Sequence, residues 1–211
     1  MLDPAALTLV AVTDDIRGGA ADLISRSAAA VRGGATMVQL RLKDADARTV
    51  VEVARAMIAT LPIPVIVNDR ADIALAAGAA GVHLGQGDLS PATVRHLVSV
   101  AAHRPDTWFI IGASMGSEAE IENAAGADYV GIGPVRETGS KHDAGHALGV
   151  ERFGVLARLT HLPAVAIGGI TAMDVPALRA AGASGVAVIR SLLGSADPER
   201  AAREFLAASG R

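Results

Sequence analysis

Cysteine is absent from the 211 residues, which removes disulfides, iron–sulfur ligation and a thiol nucleophile and suits a reducing compartment. Aromatic residues make up only 2%, so little is at hand to stack on a planar ring. There is no basic excess either. A net charge of −3 argues against nucleic acid or an anionic membrane as a partner. No apolar run is long enough to span a bilayer, and Met1-Leu2-Asp3-Pro4 has no basic stretch ahead of an apolar one, so the expectation is a cytoplasmic protein. Lysine is nearly missing: 17 Arg stand against 2 Lys, Lys43 and Lys141. Arg evidently serves wherever a surface cation is wanted, and the compact point charge of Lys is kept for two places. What is abundant is apolar surface, 51% hydrophobic against 19% charged, enough to fill the core of one sizeable domain over residues 1–211.

Short β-rich runs alternate with Ala-rich helical patterns. Strands read at 7–12, 36–41, 64–68, 81–84, 109–114, 128–132, 164–167 and 185–189, with helices such as 46–60, 91–102 and 150–160 between them. A weak repeat, Gly34-Ala35, Gly78-Ala79, Gly126-Ala127 and Gly182-Ala183, precedes every second strand, where Gly can end a helix. An open doubly wound sheet shares this alternation. Eight similar units favour closure into an α/β, single-domain (β/α)8 TIM barrel, whose site lies where the strands end.

The end of strand two is the run Gln39-Leu40-Arg41-Leu42-Lys43. On a strand Gln39, Arg41 and Lys43 share one face and span roughly 13 Å at about 3.3 Å per residue, the reach of a diphosphate. Asn68-Asp69-Arg70 follows strand three and Asp88 follows strand four. One Asp there could simply cap a helix. Asp69 and Asp88 on adjacent strands, beside a cationic strand two, can instead offer hard oxygens to Mg²⁺, with water and substrate phosphate completing its shell. Gly112-Ala113-Ser114-Met115-Gly116 matches the G-x-S-x-G nucleophile elbow, with Asp128, His142 and His146 downstream, yet no oxyanion-type Gly run is found near strand three. Ser114 reads better as a hydroxyl donor to phosphate, and His83 as a packed, hydrogen-bonded histidine. The irregular stretch 133–149 holds Thr138-Gly139-Ser140-Lys141, hydroxyls and a lysine on a Gly-flanked loop that can close over a phosphate. Gly168-Gly169 after strand seven and Ile189-Arg190 after strand eight occupy the positions where this barrel often builds a phosphate site from backbone amides.

VQLRLK, VNDRADIA, GVHLGQGDL, IGAS, GPVRETGSK, AIGGI and GVAVIR stand in that order. Together they resemble the thiamine-phosphate synthase family over essentially the whole chain. The resemblance implies a barrel enzyme, a transferase that joins 4-amino-5-hydroxymethyl-2-methylpyrimidine diphosphate to a thiazole phosphate with loss of pyrophosphate and a requirement for Mg²⁺. It implies Gln39, Arg41, Lys43, Asn68, Ser114 and Lys141 around the pyrimidine diphosphate, with Arg41, Lys43 and Lys141 catalytic. It further implies Asp69 and Asp88 on the metal, and Thr138, Gly139, Ser140, Gly169, Ile189 and Arg190 around the thiazole phosphate. Gly87, Met115, Arg136 and Arg190 depart from the commoner residues of that pattern. A thiazole tautomerase of the same superfamily is a rival, as is a Schiff-base aldolase or phosphosugar isomerase using Lys43 or Lys141, or a phosphate sensor without catalysis. A homo-oligomer is left open.

Overall fold

A computed structural model describes residues 2–15, 18–101, 108–139 and 146–210. The strands are β1 (Leu9–Val12), β2 (Met37–Leu40), β3 (Val65–Asn68), β4 (Gly81–Leu84), β5 (Ile110–Met115), β6 (Tyr129–Ile132), β7 (Ala164–Ile167) and β8 (Gly185–Val188). Each pairs in parallel with the next, and β8 pairs with β1, so the sheet closes into an eight-stranded barrel. The helices are α1 (Gly19–Arg32), α2 (Ala47–Thr60), α3 (Ala71–Ala77), α4 (Pro91–Ala101), α5 (Gly149–Leu159), α6 (Val175–Ala180) and α7 (Pro198–Ala208). No helix among the described residues is long and apolar enough to cross a membrane.

Strand alternation sorts the side chains into two cores. Val10, Val12, Met37, Ile66, Ile110, Tyr129, Val165 and Ala187 fill the barrel. Their neighbours, Val38, Leu40, Val67, Leu84, Ile111 and Ile132 among them, face the helices and join Val53, Met57, Phe153 and Phe205 in the larger outer layer.

The Gly-Ala repeat has a local cause. At Gly34, Gly78 and Gly182 the backbone turns left-handed, and the next N–H reaches back to the helix end: Ala35 to Ala30 at 2.9 Å, Ala79 to Ala74 at 2.9 Å and Ala183 to Leu178 at 2.9 Å. This is the Schellman closure that delivers a chain from helix to strand. The fourth copy differs. Between β5 and β6 stand only two short 3₁₀ turns, Glu118–Glu120 and Glu122–Ala124, and Ala127 bonds Ala124 at 3.0 Å instead. The expectation of eight similar units thus holds for the strands, while the fifth crossover carries 3₁₀ turns in place of an α-helix.

Candidate active site

At the strands' C-terminal rim one cavity of about 770 Å³ opens, a size suited to small-molecule ligands. Its lining brings together Gln39, Arg41, Lys43, Asn68, Asp69, Asp88, Ser114, Thr138, Gly169, Ile189 and Arg190. Gly139 is beside it: a Cβ there would lie 3.9 Å from both terminal nitrogens of Arg190. Ser140 and Lys141 lie outside the described residues.

The cationic sector departs from expectation in one respect. β2 ends at Leu40, so Arg41 and Lys43 stand past the strand rather than on it. Thr13 ends the ladder there: its Oγ1 accepts from the Arg41 N–H at 2.8 Å and donates to the Arg41 carbonyl at 3.0 Å. Alternation nonetheless continues, with Leu40 and Leu42 packed on the outer core while their neighbours line the cavity. Arg41 is buried and pairs with Asp14 at 2.7 Å, whereas Lys43 is exposed. A Schiff-base lysine commonly sits in a desolvated pocket; Lys43 stands in the open. Asp14 carries no signal in the sequence, because its pairing with Arg41 is made across the ends of two strands 27 residues apart. On the floor, Gln39 Nε2 donates to Asn68 Oδ1 at 2.6 Å.

Asp69 is the one described non-glycine residue with positive φ, at 64°. Asp tolerates that region better than most residues, yet it still costs free energy, and such strain gathers at functional sites. Burial, and then the Asp88 carboxylate beside it, push the Asp69 carboxyl up to about 6 from 3.8, against the pull of Arg41 and Lys43. Asp88 is anchored in turn, its Oδ2 accepting from the Gly85 N–H at 2.6 Å. Two crowded carboxylates with an open cavity in front are a donor set that a hard divalent cation would relieve. No group of three or more metal-binding side chains occurs among the described residues, so the remaining ligands would be water or substrate oxygens.

Ser114 is not on an elbow. It lies within β5, and its Oγ is 3.1 Å from His83 Nε2, whose Nδ1 is 3.0 Å from the Tyr129 hydroxyl. Asp128, a triad partner on the elbow reading, is engaged elsewhere, with Arg95 and the Ile111 N–H, each at 2.8 Å. His146 is exposed, and His142 lies outside the described residues. The His83–Tyr129 pairing could have been suspected only from Gly112 and Gly131, whose meaning depends on barrel register.

The opposite sector is built from backbone. Gly168 and Gly169 both have positive φ, and a Cβ on Gly169 would stand 2.7 Å from the Glu137 carbonyl oxygen. The loop after β6 lies directly on them, with Arg136 N–H donating to the Gly168 carbonyl at 3.0 Å. Arg136, without a role in the sequence reading, holds the buried Asp174 carboxylate. Burial opposes ionisation of Asp174, but Arg136 and Thr171 donors win and keep its carboxyl below the usual range.

A family model for thiamine monophosphate synthase matches residues 9–192. The chain belongs to the thiamine monophosphate synthase family. Thiamine-phosphate synthase of Xanthobacter autotrophicus is 47% identical over 213 residues, covering 99% of this chain and 98% of that protein. Its counterpart in Azorhizobium caulinodans is 45% identical, covering 96% and 95%. Among solved structures, thiamine phosphate pyrophosphorylase from Pyrococcus furiosus aligns with a TM-score of 0.81 at 30% identity, covering 98% of this chain and 97% of that one. The family's shared barrel thus extends over nearly all of both chains.

Proposed function

We propose that this transferase joins 4-amino-5-hydroxymethyl-2-methylpyrimidine diphosphate to a thiazole phosphate, giving thiamine phosphate and pyrophosphate, or to its 2-carboxy form with CO₂ released as well, in a Mg²⁺-dependent reaction. The observation that carries the reading is the division of one cavity into two unlike anion sectors. Arg41 and Lys43 with the Asp69–Asp88 pair suit a diphosphate that arrives with a metal. Across the rim, the glycines after β7 and the turn after β8 suit a monophosphate that backbone amides can hold.

On this reading Gln39, Arg41, Lys43, Asn68, Ser114 and Lys141 hold the pyrimidine diphosphate, and Asp69 and Asp88 bind Mg²⁺. Thr138, Gly139, Ser140, Gly169, Ile189 and Arg190 surround the thiazole phosphate. The bond between the pyrimidine's exocyclic carbon and the diphosphate oxygen breaks, its electron pair leaving with pyrophosphate. The thiazole nitrogen then supplies its lone pair to that carbon. Arg41, Lys43 and Lys141 stabilise the charge growing on the leaving group, where preorganised electrostatics act most strongly. Mg²⁺, when bound, adds Lewis-acid stabilisation of the same oxygens. No base is required, because the nucleophilic nitrogen carries no proton to remove.

A coupled assay for pyrophosphate tests this. Release that needs both substrates and Mg²⁺ supports it; no release, or release independent of the thiazole phosphate, overturns it. Borohydride trapping of a carbonyl substrate on a lysine would instead favour the aldolase alternative.

A further inference from the structure

Beneath the cavity floor a row of the barrel interior is polar where the fold would ordinarily be apolar. The register sets His83 opposite Gly112, Gly112 opposite Tyr129, and Ser114 opposite Gly131. The glycines leave the room in which the side chains meet. A Cβ at Gly112 would stand 2.5 Å from both His83 Nδ1 and the Tyr129 hydroxyl oxygen, and one at Gly131 would stand 3.0 Å from His83 Cε1. Tyr129 is 2% exposed and His83 8%. Here hydrogen-bond bookkeeping bears on the position of a proton.

A buried phenol must donate its O–H somewhere. Among the described residues the hydrogen-bond partner of Tyr129 is His83 Nδ1, at 3.0 Å. Burial, and then Asp128, raise the phenol above its usual range, so it keeps its proton at any working pH. If Tyr129 donates, Nδ1 accepts and neutral His83 carries its hydrogen on Nε2. That N–H then points at Ser114 Oγ, 3.1 Å away. Ser114 accepts from below, and its own hydrogen is left to be donated upward into the cavity that it lines. With the opposite tautomer, Ser114 would spend its hydrogen on Nε2 and turn lone pairs toward an anion.

We propose that His83, fixed as its Nε2–H form by Tyr129, is a positioning residue that makes Ser114 a donor toward the diphosphate. This rests on the functional reading above, in which Ser114 meets that group. The same polarity explains why a serine bonded to a histidine is not a nucleophile here: a protonated Nε2 cannot take the hydroxyl proton. The device would suit an anionic ligand that can only accept hydrogen bonds.

The test joins spectroscopy to a double-mutant cycle. In ¹⁵N-histidine-labelled wild type, long-range ¹H–¹⁵N correlation should show one histidine with unprotonated Nδ1 and protonated Nε2, and Tyr129→Phe should perturb that histidine. Tyr129→Phe should lower kcat about tenfold, the size of one lost hydrogen bond, and change KM for the pyrimidine diphosphate less. On a Ser114→Ala background the same change should cost almost nothing, since the donor it orients is gone. Protonated Nδ1 in wild type overturns the proposal, as does an unchanged kcat or an equal loss on both backgrounds. If wild type released no pyrophosphate, the functional reading would fail, and the spectrum alone would decide whether His83 is held as claimed.

Discussion

Replacing Asp69 with Asn should make the ligand-free protein more stable while destroying its use of metal. The folded carboxyl lies at about 6 against 3.8 when unperturbed, so between these values the folded state holds a proton that the unfolded chain has released. Stability therefore falls as pH rises through that window, and the penalty is complete above it. At 1.36 kcal/mol per decade the full difference amounts to at most about 3 kcal/mol. Solvent screening of this partly exposed group reduces it to about 1–2 kcal/mol. Asn keeps the shape and accepts the left-handed backbone at 64°. The expected outcome at pH 8 is a melting temperature higher by about 3–6 °C in the Asn variant, for a chain of this size. At pH 4 the two proteins should melt together. Added Mg²⁺ should raise the melting temperature of wild type above pH 6 and leave the variant where it was, with Mg²⁺-dependent turnover lost. An Asn variant less stable at pH 8, or a stability gap independent of pH, would refute the reasoning, because it would make Asp69 a cap or a structural ion-pair partner.

Lys43→Ala should weaken the pyrimidine diphosphate by about 1.5–3 kcal/mol, the range for a hydrogen bond to a charged group, and leave thiazole phosphate affinity nearly intact by calorimetric titration. Gly169→Val should do the reverse. Its Cβ meets the Glu137 carbonyl at 2.7 Å and φ is 65°, so the phosphate-facing backbone must move; equal losses for both ligands would mean one shared sector. Asp174→Ala should cost about 2–4 kcal/mol in urea unfolding, since it removes the buried acceptor for the Thr171 N–H at 2.9 Å and the partner of Arg136. A loss under 1 kcal/mol would show that the pair contributes little to the rim.

The eight strands were legible in the chain's residue pattern to within a residue or two. Apolar periodicity and the Gly-Ala signals are local physics, and backbone hydrogen bonding leaves few other ways to satisfy them. The sequence also named the residues at the strand ends, because parallel barrels put their open rim there and because lysine scarcity singled out Lys43. Which side chains meet became visible once the barrel was closed. Arg41 with Asp14 joins residues just past the ends of β2 and β1, and the closeness of Asp69 to Asp88 depends on a left-handed residue that composition does not announce. The helix-free fifth crossover and the His83–Tyr129–Ser114 row were likewise out of reach. Contacts of that kind depend on register around a closed sheet, where a shift of one residue turns a side chain from the barrel interior to the helices, and no pattern within a single strand records the register of its neighbour.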